Sequence, residues 1–87
     1  MTSSPIDLSF VRAKEVRFSD ETLVVELADG RILTVPIQWY PRLAYATPTE
    51  RAGWQLIGRG EGISWPDLDE DLSVEGLLVG RRSGEIP

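Results

Sequence analysis

Between Ile63 and Leu78 the chain reads Ile-Ser-Trp-Pro-Asp-Leu-Asp-Glu-Asp-Leu-Ser-Val-Glu-Gly-Leu-Leu, with Asp67, Asp69, Glu70, Asp71 and Glu75 in it and no Lys or Arg between Arg59 and Arg81. Carboxylates this close together can ligate a hard cation, act as an acid/base pair, or present a charged face to a basic partner. Asp67, Asp69 and Asp71 have the alternating spacing that opens a calcium-binding loop. The pattern then breaks, because Leu72 stands where a glycine is needed and Leu78 where a bidentate glutamate closes the shell. Acid/base work needs a cleft that raises the pKa of one carboxyl, and adjacent acids in a domain with one small core stay solvated. No metal, cofactor or catalytic residue is therefore expected. Two readings remain. Carboxylates ahead of a helix each gain about 0.3 to 1 kcal/mol from its positive end, so helix entry explains the block most plainly, and an acidic partner surface is its functional reading.

A second cluster is Trp39-Tyr40-Pro41-Arg42-Leu43. Trp, Tyr and Arg dominate protein-binding hot spots, and this segment reads as a loop. The candidate partner-binding residues are accordingly Tyr40, Arg42, Asp67, Asp69, Glu70 and Asp71. Trp54, Trp65 and Trp39 are expected in the core, which in a small domain needs the apolar area that a Trp supplies.

The inventory narrows the chemistry further. Among 87 residues there is neither Cys nor His, which removes disulfides, thiolate zinc sites, nucleophile pairs built on His, and histidine proton shuttles. Fourteen acidic residues oppose nine basic ones for a net charge of −5, so direct nucleic-acid binding is not expected. Eight of the nine basic residues are Arg, a bias compatible with protein contacts. No signal-peptide run opens the chain and no segment reaches the roughly 20 apolar residues of a membrane span. The expectation is a cytoplasmic protein that does not bind a membrane.

The elements that must position these residues are legible from period and punctuation. Residues 1–12 form a partly ordered amino-terminal extension with an apolar group at Ile6, Leu8, Phe10 and Val11; 13–80 form one domain; 81–87 are a polar, mobile tail. Val16 and Phe18 alternate with Glu15 and Arg17 over Ala13 to Ser19, a strand period. Thr22 to Leu27 and Ile32 to Ile37 flank Ala28-Asp29-Gly30, a hairpin in which Gly30 takes a positive φ. A three-residue loop pairs Leu23 with Val35 and Val25 with Leu33 and gathers the apolar side chains on one face, whereas a two-residue loop scatters them. Pro36 lacks a ladder donor and belongs where pairing ends or at an edge. Thr47-Pro48-Thr49-Glu50 has the form of a capping box, opening a helix from Pro48 to about Ile57 whose Trp54, Leu56 and Ile57 face the sheet. Ile63 to Trp65 reads as a short strand closed by Pro66, and a second helix begins with Asp71 or Ser73 as its cap and runs to Val79. The fold class is α+β, with one small antiparallel sheet in the order β-β-β-α-β-α and two short helices on one face.

The series Asp29-Gly30-Arg31, Val35-Pro36-Ile37, Trp39-Tyr40-Pro41-Arg42-Leu43, Ala46-Thr47, Trp54, Gly58 to Gly62, Trp65-Pro66, Leu68-Asp69-Glu70-Asp71-Leu72 and Gly76-Leu77-Leu78 resembles a bacterial and phage family called domain of unknown function 2442. The resemblance covers about residues 13 to 80. It implies a small α+β protein, often encoded beside a small protein of another uncharacterised family, and so an antitoxin-like member of a toxin-antitoxin type pair. It brings no catalytic residues to carry over. The expected function is a non-enzymatic protein-binding module whose partner is a protein, for example the product of a neighbouring gene. The alternative is a phage-type acidic inhibitor, an anti-defence or anti-CRISPR protein, that binds a basic nucleic-acid-handling protein.

Overall fold

Leu23, Val25 and Leu27 alternate with half-exposed neighbours because Thr22–Leu27 (β2) is the central strand of a three-stranded antiparallel sheet, between Ala13–Ser19 (β1) and Ile32–Pro36 (β3). The computed structural model describes residues 11–82. Residues 1–10 of the expected extension, with Ile6, Leu8 and Phe10, and residues 83–87 of the expected tail lie outside them. The β2–β3 register is the one loop length dictates: Leu23 opposes Val35, Val25 opposes Leu33, and the Leu27 amide donates to the Arg31 carbonyl at 2.8 Å. Gly30 sits at φ 95° and donates to the Leu27 carbonyl. Asp29 accepts from the Arg31 amide at 3.0 Å, and chiefly for that reason its carboxyl is held below the ordinary carboxylate range.

In β1 the simple alternation fails. Ala13 and Val16 are both buried although three residues apart, because the register shifts between Ala13 and Glu15, where an extra residue bulges from the ladder. On the outer face Glu15 lies opposite Glu26, a repulsive pair. The Arg17 guanidinium bridges both at 3.2 and 3.3 Å. Since Leu27 bonds to β3, antiparallel alternation turns the backbone groups of Thr34 and Pro36 to the open edge. Pro36 thus removes a donor that would otherwise face solvent.

The second half departs from the single sheet expected. Gln55–Ile57 (β4), Gly62–Trp65 (β5) and Glu70–Ser73 (β6) form a second three-stranded antiparallel sheet, with β5 central. Among the described residues three short helices stand where two were expected: Pro41–Ala44 (α1), Pro48–Arg51 (α2) and Val74–Leu78 (α3). The Thr47 capping box forms as read, with the Glu50 amide donating to Thr47 Oγ1 at 3.1 Å and the Thr47 amide to Glu50 Oε1 at 2.8 Å. However, α2 ends at Arg51 rather than near Ile57. Gly53 disfavours helix by about 1 kcal/mol, and continuing the helix would forfeit the pairing of Gln55, Leu56 and Ile57 with Ser64, Ile63 and Gly62. Leu56 and Ile57 are in consequence exposed instead of facing a sheet. Thr47→Ala is expected to lose about 1 kcal/mol in urea unfolding, with no change in the slope of the transition.

The core is one cluster drawn from both sheets and two helices: Val16, Leu23, Val25 and Val35 from the first sheet, Ile63 and Trp65 from the second, Leu43 of α1, and Val74 and Leu77 of α3. Contrary to the expected packing, α2 buries no residue. It is tied to its neighbours through its last residue, Arg51, whose Nε and Nη2 donate to the Leu43 and Ala44 carbonyls at the end of α1, each at 2.9 Å. The Arg51 guanidinium also lies 5.4 Å from the Phe18 ring centroid, and its carbonyl accepts from Trp65 Nε1 at 3.0 Å. Of the other tryptophans, Trp39 and Trp54 are half-buried against the core, and Arg82 stacks over the Trp39 ring at 4.4 Å.

Candidate partner surface

The acidic stretch is built as a strand end, a tight turn and a strand. Trp65, fully buried, anchors the end of β5. Pro66–Leu68 then form one 3₁₀ turn, and Asp69 reverses the chain in the left-handed region at φ 53°. Asp and Asn tolerate that conformation better than other side-chain-bearing residues. Glu70 re-enters the ladder opposite Trp65, and Leu72 opposite Ile63. Because a strand alternates its faces, Glu70 and Leu72 turn inward with Ile63 and Trp65, while Asp71 and Ser73 turn outward. Glu70 is accordingly buried, and Asp67, Asp69 and Asp71 are exposed.

This placement corrects the helix-entry account. The cap of α3 is Ser73, whose Oγ accepts from the Gly76 amide at 2.9 Å, and Asp71 belongs to β6. Only Glu75 lies in the first turn of α3. Asp67, Asp69 and Asp71 therefore draw no stabilisation from that helix end, where the effect is confined to the first turn.

Of the aromatic segment, the structure brings only Arg42 to the acidic turn. Its Nη1 donates to the Asp69 carbonyl and lies 3.8 Å from Asp69 Oδ2, while the Asp69 carboxylate itself is fully exposed. Tyr40, a candidate surface anchor by sequence, is instead 1% exposed within the core, with its hydroxyl donating to the Arg81 carbonyl at 2.9 Å. The short helix after Pro41, missed in the sequence, turns Tyr40 inward and Arg42 outward. Arg42→Ala should loosen the turn without unfolding the domain: faster amide exchange across residues 67–71, and a global loss within about 1 kcal/mol, since the pair is solvent-exposed.

Glu70 and Tyr40 thus leave the candidate surface for the interior, and Asp67, Asp69, Asp71 and Arg42 remain on it. Sequence reasoning missed Arg51, which ties together α1, Phe18 and Trp65. Its acceptors lie seven and eight residues back along a helix whose existence was not apparent. Gly58, Gly60 and Gly62, set between Gln55-Leu56-Ile57 and Ile63-Ser64-Trp65, were a hairpin signal that a helix through Ile57 overrode.

The fold and surface define a small α+β domain: two three-stranded antiparallel sheets on a shared core, with an acidic turn joining two strands of the second. The family described as Protein of unknown function (DUF2442) matches residues 13–83, and the chain belongs to it. A protein of unknown function from Rhodospirillum rubrum, solved by crystallography, is 27% identical with a TM-score of 0.74, over 86% of this chain and 93% of that one. An uncharacterized protein from Chromobacterium violaceum, solved by solution NMR, is 28% identical with a TM-score of 0.71, over 84% of this chain and 69% of that one. No curated protein matches the chain. Among the described residues, no helix is long and apolar enough to cross a membrane.

Proposed function

We propose that this chain is a non-enzymatic, cytoplasmic protein-binding module, antitoxin-like in a toxin-antitoxin type pair, and that Asp67, Asp69 and Asp71 are its contact with a basic partner. The observation that carries this reading is that the three carboxylates are exposed around one ordered turn while none of them serves α3. A turn held by Arg42 on one side and by the β5–β6 ladder on the other is preorganised. Little conformational entropy is then lost when a partner docks. Exposed acids also steer a cationic partner from a distance. The test is co-expression with the product of the adjacent gene: the two should co-purify, and the neighbour should be toxic when expressed alone. A neighbour that is neither bound nor toxic contradicts the proposal.

The same exposed carboxylates favour one second reading, the acidic inhibitor that imitates nucleic-acid phosphates at a basic site. Its signature is inhibition of a nucleic-acid-handling enzyme that collapses as salt rises. Inhibition that survives neutralisation of Asp67, Asp69 and Asp71 rules that reading out.

A further inference from the structure

Asp29-Gly30 is the place in this chain best suited to rearranging its own backbone. The sequence has no Asn, and of its six Asp residues only Asp29 is followed by Gly. A Gly nitrogen is unhindered, because no Cβ stands beside it, and it can attack the carboxyl of the side chain before it. A bond forms between the Gly30 nitrogen and Cγ of Asp29, while the amide proton and the carboxyl hydroxyl leave as water. Water then adds to the cyclic imide. Breaking the bond between nitrogen and Cγ restores Asp; breaking the one between nitrogen and the α-carbonyl gives isoaspartate, whose main chain runs through the side-chain methylene. Mass and oxidation state are unchanged.

The fold presents both reacting groups and also restrains them. Asp29 and Gly30 are exposed at the tip of the β2–β3 hairpin, with open space where a Cβ on Gly30 would stand. Asp29 Oδ1 accepts from the Arg31 amide at 3.0 Å and Oδ2 from Arg31 Nε at 2.8 Å, so both carboxylate oxygens are held. The N–H of the attacking nitrogen donates to the Leu27 carbonyl at 3.0 Å. Ring closure converts that nitrogen to an imide and pulls the carboxyl away from Arg31, so these bonds have to be given up. The depressed pKa of Asp29, due chiefly to the Arg31 amide, acts in the same direction, because an ionised carboxylate has no hydroxyl to expel.

We infer that Asp29-Gly30 is a site of spontaneous isoaspartate formation, that Arg31 holds the reaction in check, and that modification there weakens the first sheet. The last step follows from loop length. Ala28, Asp29 and Gly30 set the β2–β3 register, and isoaspartate adds one main-chain carbon to that loop, which disturbs the bond from the Leu27 amide to the Arg31 carbonyl. A slip there exposes Leu23, Val25 and Leu27 together. As an exposed ion pair, Asp29 and Arg31 contribute little to folding; their contact protects the turn chemically. The inference does not depend on the role of the acidic turn.

The experiment incubates the full chain at physiological temperature and mildly acidic pH, as wild type, Arg31→Ala and Arg31→Lys, with circular dichroism confirming that each stays folded. The peptide carrying residue 29 is then resolved chromatographically into its Asp and isoaspartate forms of equal mass. Isoaspartate should form about ten-fold faster in wild-type chain unfolded in urea than in folded wild type, because unfolding releases all of these bonds. Both variants lack the Nε donor and should raise the folded rate by about five-fold. Wild-type chain carrying isoaspartate at position 29, separated from the unmodified form, should unfold at lower urea. The inference is overturned by equal rates in folded and unfolded wild type, by a folded variant that matches wild type, by no isoaspartate at residue 29 in any sample, or by an unchanged urea midpoint of the modified chain.

Discussion

Gly60→Ala is expected to destabilise the protein by about 3 kcal/mol or more, a large part of the roughly 4 to 13 kcal/mol that a domain of this length holds. Gly60 has φ 95°, where a side-chain-bearing residue is strained by about 1 to 2 kcal/mol. It is also the point where the two sheets meet, since its carbonyl accepts from the Ala13 amide. A Cβ there would run into the Ala13 carbonyl oxygen and lie 3.2 Å from the Ala13 nitrogen. Both obstacles are backbone, so relief requires moving β1 away from the β4–β5 turn. Gly30 supplies the control, because it has the same φ of 95° but nothing within 4 Å of the added Cβ. Gly30→Ala should cost only the conformational part, about 1 to 2 kcal/mol. Urea unfolding followed by far-ultraviolet circular dichroism compares the two. Equal losses would show that the contact between the sheets contributes nothing.

Trp65→Ala should cost about 3 to 5 kcal/mol, the range for removing a large buried aromatic side chain. Trp65 is 1% exposed and joins three parts of the core. Its ring meets Phe18 edge-on at 6.1 Å and 67°, it lies in the second sheet opposite Glu70, and its Nε1 donates to the Arg51 carbonyl. Trp65→Phe separates the terms: it keeps an aromatic ring but leaves that carbonyl without its donor, a loss of about 1 to 3 kcal/mol. Circular dichroism suits this series as well, since fluorescence would change with the tryptophan itself. A Phe variant as damaging as the Ala variant would show that an aromatic ring contributes nothing there without the indole N–H and its full size.

What could be read from the sequence was local. The β2–β3 register followed from loop length because a one-residue slip would expose Leu23, Val25 and Leu27 together. Likewise, the capping box at Thr47 is decided within four residues, whereas the cap of the last helix stayed open between Asp71 and Ser73 until β6 claimed Asp71. Errors arose where distant partners decide. The helix after Pro48 was extended through Gln55–Ile57 because its local pattern is compatible with helix, and only pairing with β5 makes that segment a strand. Glu70–Ser73 has three polar residues of poor strand propensity, yet it pairs because Leu72 reaches the core beside Ile63. The acidic stretch shows the same division. Its charge was evident at once, but which carboxylates face water depended on the alternation of an unforeseen strand. That alternation buries Glu70 and leaves Asp71 outside, while Asp69 is exposed by the left-handed turn before the strand.

If Asp67, Asp69 and Asp71 form the contact surface, calorimetric titration of the adjacent gene product with the wild-type chain and with the D67N/D69N/D71N variant reads it out. The variant, at unchanged fold, should lose about 100-fold in affinity, roughly 1 kcal/mol for each charge. Affinity that stays within about two-fold of wild type, with the variant still folded, would contradict it.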